Sequence, residues 1–182
     1  MGFKYGIKAH CLDNNQLLVN ISSLLQLQLF AQAISSIINV NTERSKVILL
    51  EGELGSGKTT LVQLILKSLG YNDRVTSPTY SLMNHYLVGN ISIYHLDLYR
   101  INNDHNLLST DLIDIIEQGN NLIFIEWGQN KKVKSDLIVQ IRAEILKNMQ
   151  GDYYYGDREL VLQPQSDFGN NIVNNLLIKF ED

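Results

Sequence analysis

A three-layer α/β fold with a mixed parallel and antiparallel central sheet is predicted by three observations. The apolar run Lys46 to Glu51 leads straight into the octet Gly52-Glu53-Leu54-Gly55-Ser56-Gly57-Lys58-Thr59, which opens a helical pattern. A second unbroken apolar run, Leu122 to Ile125, has the character of a strand buried on both faces. Two strand patterns, Tyr80 to Val88 and Ile91 to Leu98, meet at Gly89-Asn90, a hairpin signal that adds an antiparallel pair.

The octet fits the phosphate-binding pattern of Gly, four free residues, Gly, Lys and Ser or Thr. A triphosphate must be wrapped closely by main-chain N–H groups, and glycine lets the backbone approach and take positive φ. Lys58 would reach the β- and γ-phosphates as a point charge. The Thr59 hydroxyl would hold Mg²⁺, and the helix beginning there would turn its positive end toward the phosphates. Strand, loop and helix in this order make the expected fold P-loop NTPase-like.

The remaining elements follow in chain order. Ser22 and Ser23 are N-cap candidates for a helix from about Leu24 to Ile38, with Leu24, Leu27, Ala31, Ile34 and Ile38 as its buried stripe. Thr59 to Leu69 is the helix after the phosphate loop, and Gly70 stops it. Ser77-Pro78-Thr79 marks a loop, because Pro78 pushes Ser77 toward extended geometry. Asp104 to Glu117 reads as a helix ended by Gly119-Asn120-Asn121. Asp136 to Ile145 and Arg158 to Leu162 read as late strands, with Gly151 to Gly156 as their connection. The three tyrosines of that connection read as a loop resting on the sheet or as a partner surface. Asn170 to Phe180 closes the chain as a helix.

The 182 residues therefore read as a single domain: an N-terminal helix at about 22–38, a nucleotide-binding core at about 46–128, and C-terminal strands and helix at about 133–180. With 45% hydrophobic and 19% charged residues, the composition is that of an ordinary soluble globular protein. The single cysteine, Cys11, cannot form an internal disulfide, and a reducing cytoplasm fits. No targeting segment or membrane span is expected, since the run Leu24 to Phe30 is broken by Gln26 and Gln28.

Hydrolysis needs more than a phosphate loop. Phosphoryl transfer asks for positioning and charge neutralisation, and Mg²⁺ prefers hard oxygen ligands. Glu126, directly after Leu122 to Ile125, is a Walker B-like carboxylate, while Asp97, near the end of Ile91 to Leu98, is equally an ordinary strand-end acid on the residues alone. Both strand ends would open into the crevice where ligands bind in such sheets. His95 reads as a core or hydrogen-bonding residue before a base, and Arg100 as a surface cation or a γ-phosphate neighbour. Trp127, the sole tryptophan, either packs on the nucleotide or anchors the core; Thr79 either lines the γ-phosphate or caps a turn.

Taken as an ordered set, Gly52 to Thr60, Ser77-Pro78-Thr79-Tyr80, Tyr94-His95-Leu96-Asp97-Leu98-Tyr99-Arg100 and Ile125-Glu126-Trp127 resemble the bacterial TsaE (YjeE) family. The resemblance covers roughly Leu49 to Gly128. It implies a weak ATPase that serves threonylcarbamoyladenosine formation on tRNA, beside the anticodon, together with TsaB and TsaD subunits. It implies that Lys58, Asp97 and Glu126 are catalytic. The nucleotide would be bound by Gly52, Glu53, Leu54, Gly55, Ser56, Gly57, Lys58, Thr59, Thr60, Thr79 and Trp127, and the metal by Thr59, Asp97 and Glu126. ATP and Mg²⁺ are the expected cofactors. Two departures stand out: Asn106 to Leu112 replaces a Glu-rich helix, and Gln129 stands where an acid is common. The rival readings are a small-molecule kinase on the same fold, against which the lack of an Arg-rich lid counts, and a non-catalytic nucleotide-dependent scaffold.

The formal net charge of −4 sets a first prediction. A domain gripping RNA over a wide area is normally basic, so tRNA contact is expected to pass through partners. Filter binding of this chain alone should detect only feeble tRNA affinity; tight binding that weakens steeply with salt would overturn that expectation.

Overall fold

The computed structural model describes residues 6–38, 44–101, 110–129, 133–147, 149–150 and 153–180. One eight-stranded sheet runs through it, in the order β1-β2-β8-β7-β3-β6-β5-β4. The strands are β1 (Lys8–Cys11), β2 (Leu17–Ile21), β3 (Lys46–Glu51), β4 (Met83–Val88), β5 (Ile91–Asp97), β6 (Asn121–Glu126), β7 (Leu137–Lys147) and β8 (Tyr153–Pro164). The helices are α1 (Leu24–Ile37), α2 (Lys58–Ser68), α3 (Thr110–Glu117) and α4 (Asp167–Phe180).

The centre of the sheet is parallel: β3 lies between β7 and β6, and β5 follows β6. The pairs β4–β5, β7–β8, β8–β2 and β2–β1 are antiparallel. The mixed sheet predicted from the hairpin is therefore present. Alternation along β3 separates two cores. Ile48 and Leu50 join the apolar sides of α1, α2 and α4, while Val47 and Leu49 face Ile123, Ile125 and the α3 residues Ile115 and Ile116. Layers of helix thus lie on both faces of the parallel strands.

Local chemistry explains the element ends. The Ser23 hydroxyl accepts from the Gln26 N–H at 3.2 Å and caps α1. The C-terminus of α2 closes with two backbone bonds, Gly70 N–H to Lys67 and Tyr71 N–H to Leu66, with Gly70 at φ 104°. Asn121 Nδ2 donates to the Ile115 carbonyl at 2.7 Å and ties the end of α3 to the start of β6.

Several boundaries differ from the sequence reading. The strand expected from Tyr80 begins at Met83, because Leu82 donates back to the Pro78 carbonyl at 2.7 Å and sits at φ 65°, turning Tyr80 to Leu82 out of the ladder. Of the helix expected from Asp104, residues 110–117 are helical and 104–109 lie outside the described residues. The tyrosines expected in a connecting loop instead begin β8, with Tyr153, Tyr154 and Tyr155 paired to Lys147, Leu146 and Ile145. Gly156 is a strand residue there: Leu146 Cδ1 lies 2.7 Å from where its Cβ would stand. Strands β1 and β2 were not foreseen.

Asp136 joins three segments at the end of the sheet away from the phosphate loop. Its buried carboxylate accepts from the Val47 N–H at 2.9 Å, Arg44 Nη2 at 2.7 Å and Ser166 Oγ at 2.7 Å. Its backbone exchanges further bonds with Val47 and Gln165. Gly169 packs so closely that a Cβ would meet the Asp136 carbonyl at 2.2 Å. Asp136→Ala takes the carboxylate acceptor from the buried Val47 N–H and should cost about 2–3 kcal/mol in urea unfolding. A loss under about 0.5 kcal/mol, the range of ordinary surface changes, would refute this role.

Candidate functional site

The site forms at the C-terminal ends of β3, β6 and β5, where α2 begins. The parallel register sets Asp97 directly beside Glu126. Both project to the face that carries α2, since they continue the alternation of Ile93 and of Leu122 and Phe124 in the core beneath it. Asp97 and Glu126 are buried, at 4% and 2% exposure.

The chain from Gly52 to Gly57 is a tight loop with Gly52, Gly55 and Gly57 at φ 145°, 77° and 109°. At Gly52 a Cβ would stand 2.3 Å from the Ile141 carbonyl, so only glycine fits. Ser56 N–H donates to the Glu53 carbonyl at 3.1 Å and closes the turn. Gly57 is the N-cap of α2, Leu61 N–H returns to its carbonyl, and Leu54 is exposed at the loop's tip. Among the described residues, buried Ser56 Oγ has no hydrogen-bond partner.

Lys58 Nζ donates to the carbonyls of Gly52 at 2.8 Å and Glu53 at 2.9 Å, and lies 4.0 Å from the centre of the Trp127 ring. Burial pushes the Lys58 ammonium below the usual lysine range, against the opposing pull of Glu126, Asp97 and Glu53. Thr59 Oγ1 donates to Glu126 Oε1 at 2.8 Å, and half-buried Thr60 follows in the same first turn.

Thr79 Oγ1 bonds to Asp97 Oδ2 and lies 2.7 Å from Ser77 Oγ. The other Asp97 oxygen accepts from the Tyr99 N–H at 2.9 Å. Trp127 sits at φ 63°, donates its N–H to the Leu50 carbonyl at 3.3 Å, and stacks obliquely on Tyr99 with ring centres 4.9 Å apart. The structure thus brings Lys58, Thr59, Thr79, Asp97, Glu126 and Trp127 together. Arg100 is engaged elsewhere, with its guanidinium 4.4 Å from the centre of the Tyr80 ring.

His95 is the buried, hydrogen-bonding residue the sequence suggests, but its partner and the role of Arg158 are not readable from the sequence. His95 bonds through Nε2 to Glu126 Oε1 at 2.8 Å. Its place two residues before Asp97, on the same strand face, was the available signal. Arg158, on β8, donates from Nε to the Ser56 carbonyl at 3.1 Å and from Nη1 to Gly156 at 3.4 Å. No local motif marks it, because β8 reaches the loop only through sheet pairing.

The strand, loop and helix within this mixed sheet give the chain a P-loop NTPase-like fold. The family described as "Threonylcarbamoyl adenosine biosynthesis protein TsaE" matches residues 22–152. A protein named tRNA threonylcarbamoyladenosine biosynthesis protein TsaE from Haemophilus influenzae is 33% identical over 141 residues, covering 76% of this chain and 82% of that one. One of the same name from Nostoc is 42% identical over 101 residues, covering 52% of this chain and 60% of that one. The crystal structure of Bacillus subtilis YdiB superposes with a TM-score of 0.62 at 19% identity, covering 92% of this chain and 97% of that one, a likeness of fold. The chain belongs to the TsaE family.

The lowered Lys58 value carries a sign. Between the folded value and the ordinary lysine value the unfolded chain binds more protons, so stability rises with pH across that window. Urea unfolding at about pH 7 and about pH 10 should shift the balance toward the wild type over Lys58→Met at the higher pH. A difference that stays flat, or moves the other way, would count against a desolvated ammonium.

Proposed function

We propose that this chain binds ATP with Mg²⁺, hydrolyses it slowly, and serves as the nucleotide-dependent subunit of the assembly that forms threonylcarbamoyladenosine on tRNA. Its partners in this reading are TsaB and TsaD, with tRNA reached only through them, in the cytoplasm. The family membership supports the pathway, and the net charge of −4 agrees with indirect tRNA contact. Among the described residues no helix is long and apolar enough to cross a membrane.

The observation that carries the nucleotide reading is the convergence of Lys58, Thr59, Asp97 and Glu126 at the head of α2. The residues fit a phosphate and a divalent cation. Ser56 Oγ is a buried polar atom without a partner inside the loop, which is costly unless a ligand meets it. Thr59, Asp97 and Glu126 offer the hard oxygens Mg²⁺ selects. Bound there, Mg²⁺ would neutralise charge on the β- and γ-phosphate oxygens. Lys58 would supply a second positive charge, exchanging the carbonyls of Gly52 and Glu53 for phosphate oxygens. Glu126 would orient the attacking water, and Thr79, tethered to Asp97, would line the γ-phosphate side. The loop amides from Gly52 to Thr59 would meet charge as it develops in the transition state.

Lys58→Ala loses a charge-assisted contact worth roughly 1.5–3 kcal/mol, so ATP affinity should fall about ten- to a hundredfold in calorimetry. Glu126→Gln should retain ATP within a few-fold while phosphate release in the presence of TsaB and TsaD drops at least about tenfold. ATP binding by Lys58→Ala within threefold of wild type would overturn the nucleotide site. Unchanged phosphate release by Glu126→Gln would overturn the hydrolytic role of that carboxylate.

A further inference from the structure

We propose that His95 is a positioning residue for hydrolysis: it fixes the Glu126 carboxylate so that one oxygen is saturated inside the protein and the other is presented to the nucleotide cleft. The inference deepens the hydrolytic reading and rests on it.

His95 stands on β5, opposite Phe124 of β6 and two residues before Asp97, with no exposure to solvent. Nε2 lies 2.8 Å from Glu126 Oε1. Thr59 Oγ1 lies 2.8 Å from the same oxygen. A carboxylate oxygen has two lone pairs, and these two donors occupy both. Oε2 makes no hydrogen bond among the described residues. The unspent acceptor capacity of Glu126 therefore sits on the oxygen that His95 and Thr59 do not hold.

The ring's other nitrogen defines the tautomer. Nδ1 is buried and has no partner among the described residues. A carboxylate only accepts, so the hydrogen must be on Nε2 for the contact to be a hydrogen bond. Of the two tautomers, this one leaves Nδ1 as a bare lone pair, which costs less to bury than an orphaned N–H. A flexible or solvated donor would let the Glu126 side chain rotate among its own rotamers. An imidazole packed on all sides holds one direction, as partners behind a metal ligand or catalytic carboxylate do. Thr59 cannot do this alone, because its hydroxyl is also the group expected to face the cation.

The test uses two independent readouts. In ¹⁵N-histidine-labelled wild-type protein, His95 should carry a hydrogen on Nε2, and Glu126→Gln should shift that signal; a hydrogen on Nδ1 with none on Nε2 would overturn the proposal whatever the activity. His95→Leu fills the space without a donor, and His95→Gln can restore an N–H near Nε2. His95→Leu should lower kcat for ATP at least about tenfold with magnesium-free ATP affinity within about threefold, and His95→Gln should recover kcat to within about threefold of wild type. Equal loss in both folded variants would mean that His95 only packs, and a His95→Leu kcat within about twofold of wild type would mean that it does nothing for turnover. Should the wild type release no phosphate at all, the hydrolytic reading falls on its own, and the ring tautomer still decides the bond to Glu126. If neither variant folds, the same spectrum decides it.

Discussion

Glu126 ends a strand in which every residue is buried, and an ionised carboxylate in that place is costly unless donors meet it. Donors from two segments meet it, and a second acid stands beside it. β5 brings His95, α2 brings Thr59, and the parallel pairing of β5 with β6 brings Asp97 alongside. Two neighbouring acids would repel each other in water-poor surroundings. Lys58 offsets this: its ammonium, held by the Gly52 and Glu53 carbonyls beside the Trp127 ring, is attracted by both acids. The fold around the sheet's C-terminal edge can be understood as the arrangement that makes these buried charges tolerable.

The opposing pressures on Lys58 show which effect dominates. Three carboxylates favour its charged form, yet burial outweighs them. Its donors are held by two main-chain carbonyls whose geometry depends on glycine at 52 and 57, and Arg158 reaches across from β8 to hold a third carbonyl of the same loop. The loop's shape is thus set from both sides: by α2, which it caps, and by the antiparallel wing of the sheet.

Much of this was legible in the sequence, and the residues show why. β3 and β6 are buried on both faces, so their apolar runs were continuous and their acids stood out. The turn from Gly52 to Gly57 could be read because its backbone conformation leaves few residue choices. β2 does alternate, with Leu17, Val19 and Ile21 buried, but five residues containing Leu18 give a faint period. β1 has almost nothing to bury and left no pattern. The tyrosines of β8 read as a loop because glycines stand on both sides, whereas Gly156 lies inside the strand, at a register shift in the pairing with β7 and close against Leu146. His95 and Arg158 act across strands, and contacts made by sheet pairing have no fixed spacing along the chain.

The Asp136 junction lies at the start of β3, and the phosphate loop leaves from its end. Six residues of strand place the two about 20 Å apart. Changes that far apart without shared partners usually combine additively. A lineage carrying this fold can therefore reinforce its framework at one pole while altering the loop and its buried acids at the other, and losses of stability at that end can be offset by gains at the remote one. The length of a single central strand supplies that independence.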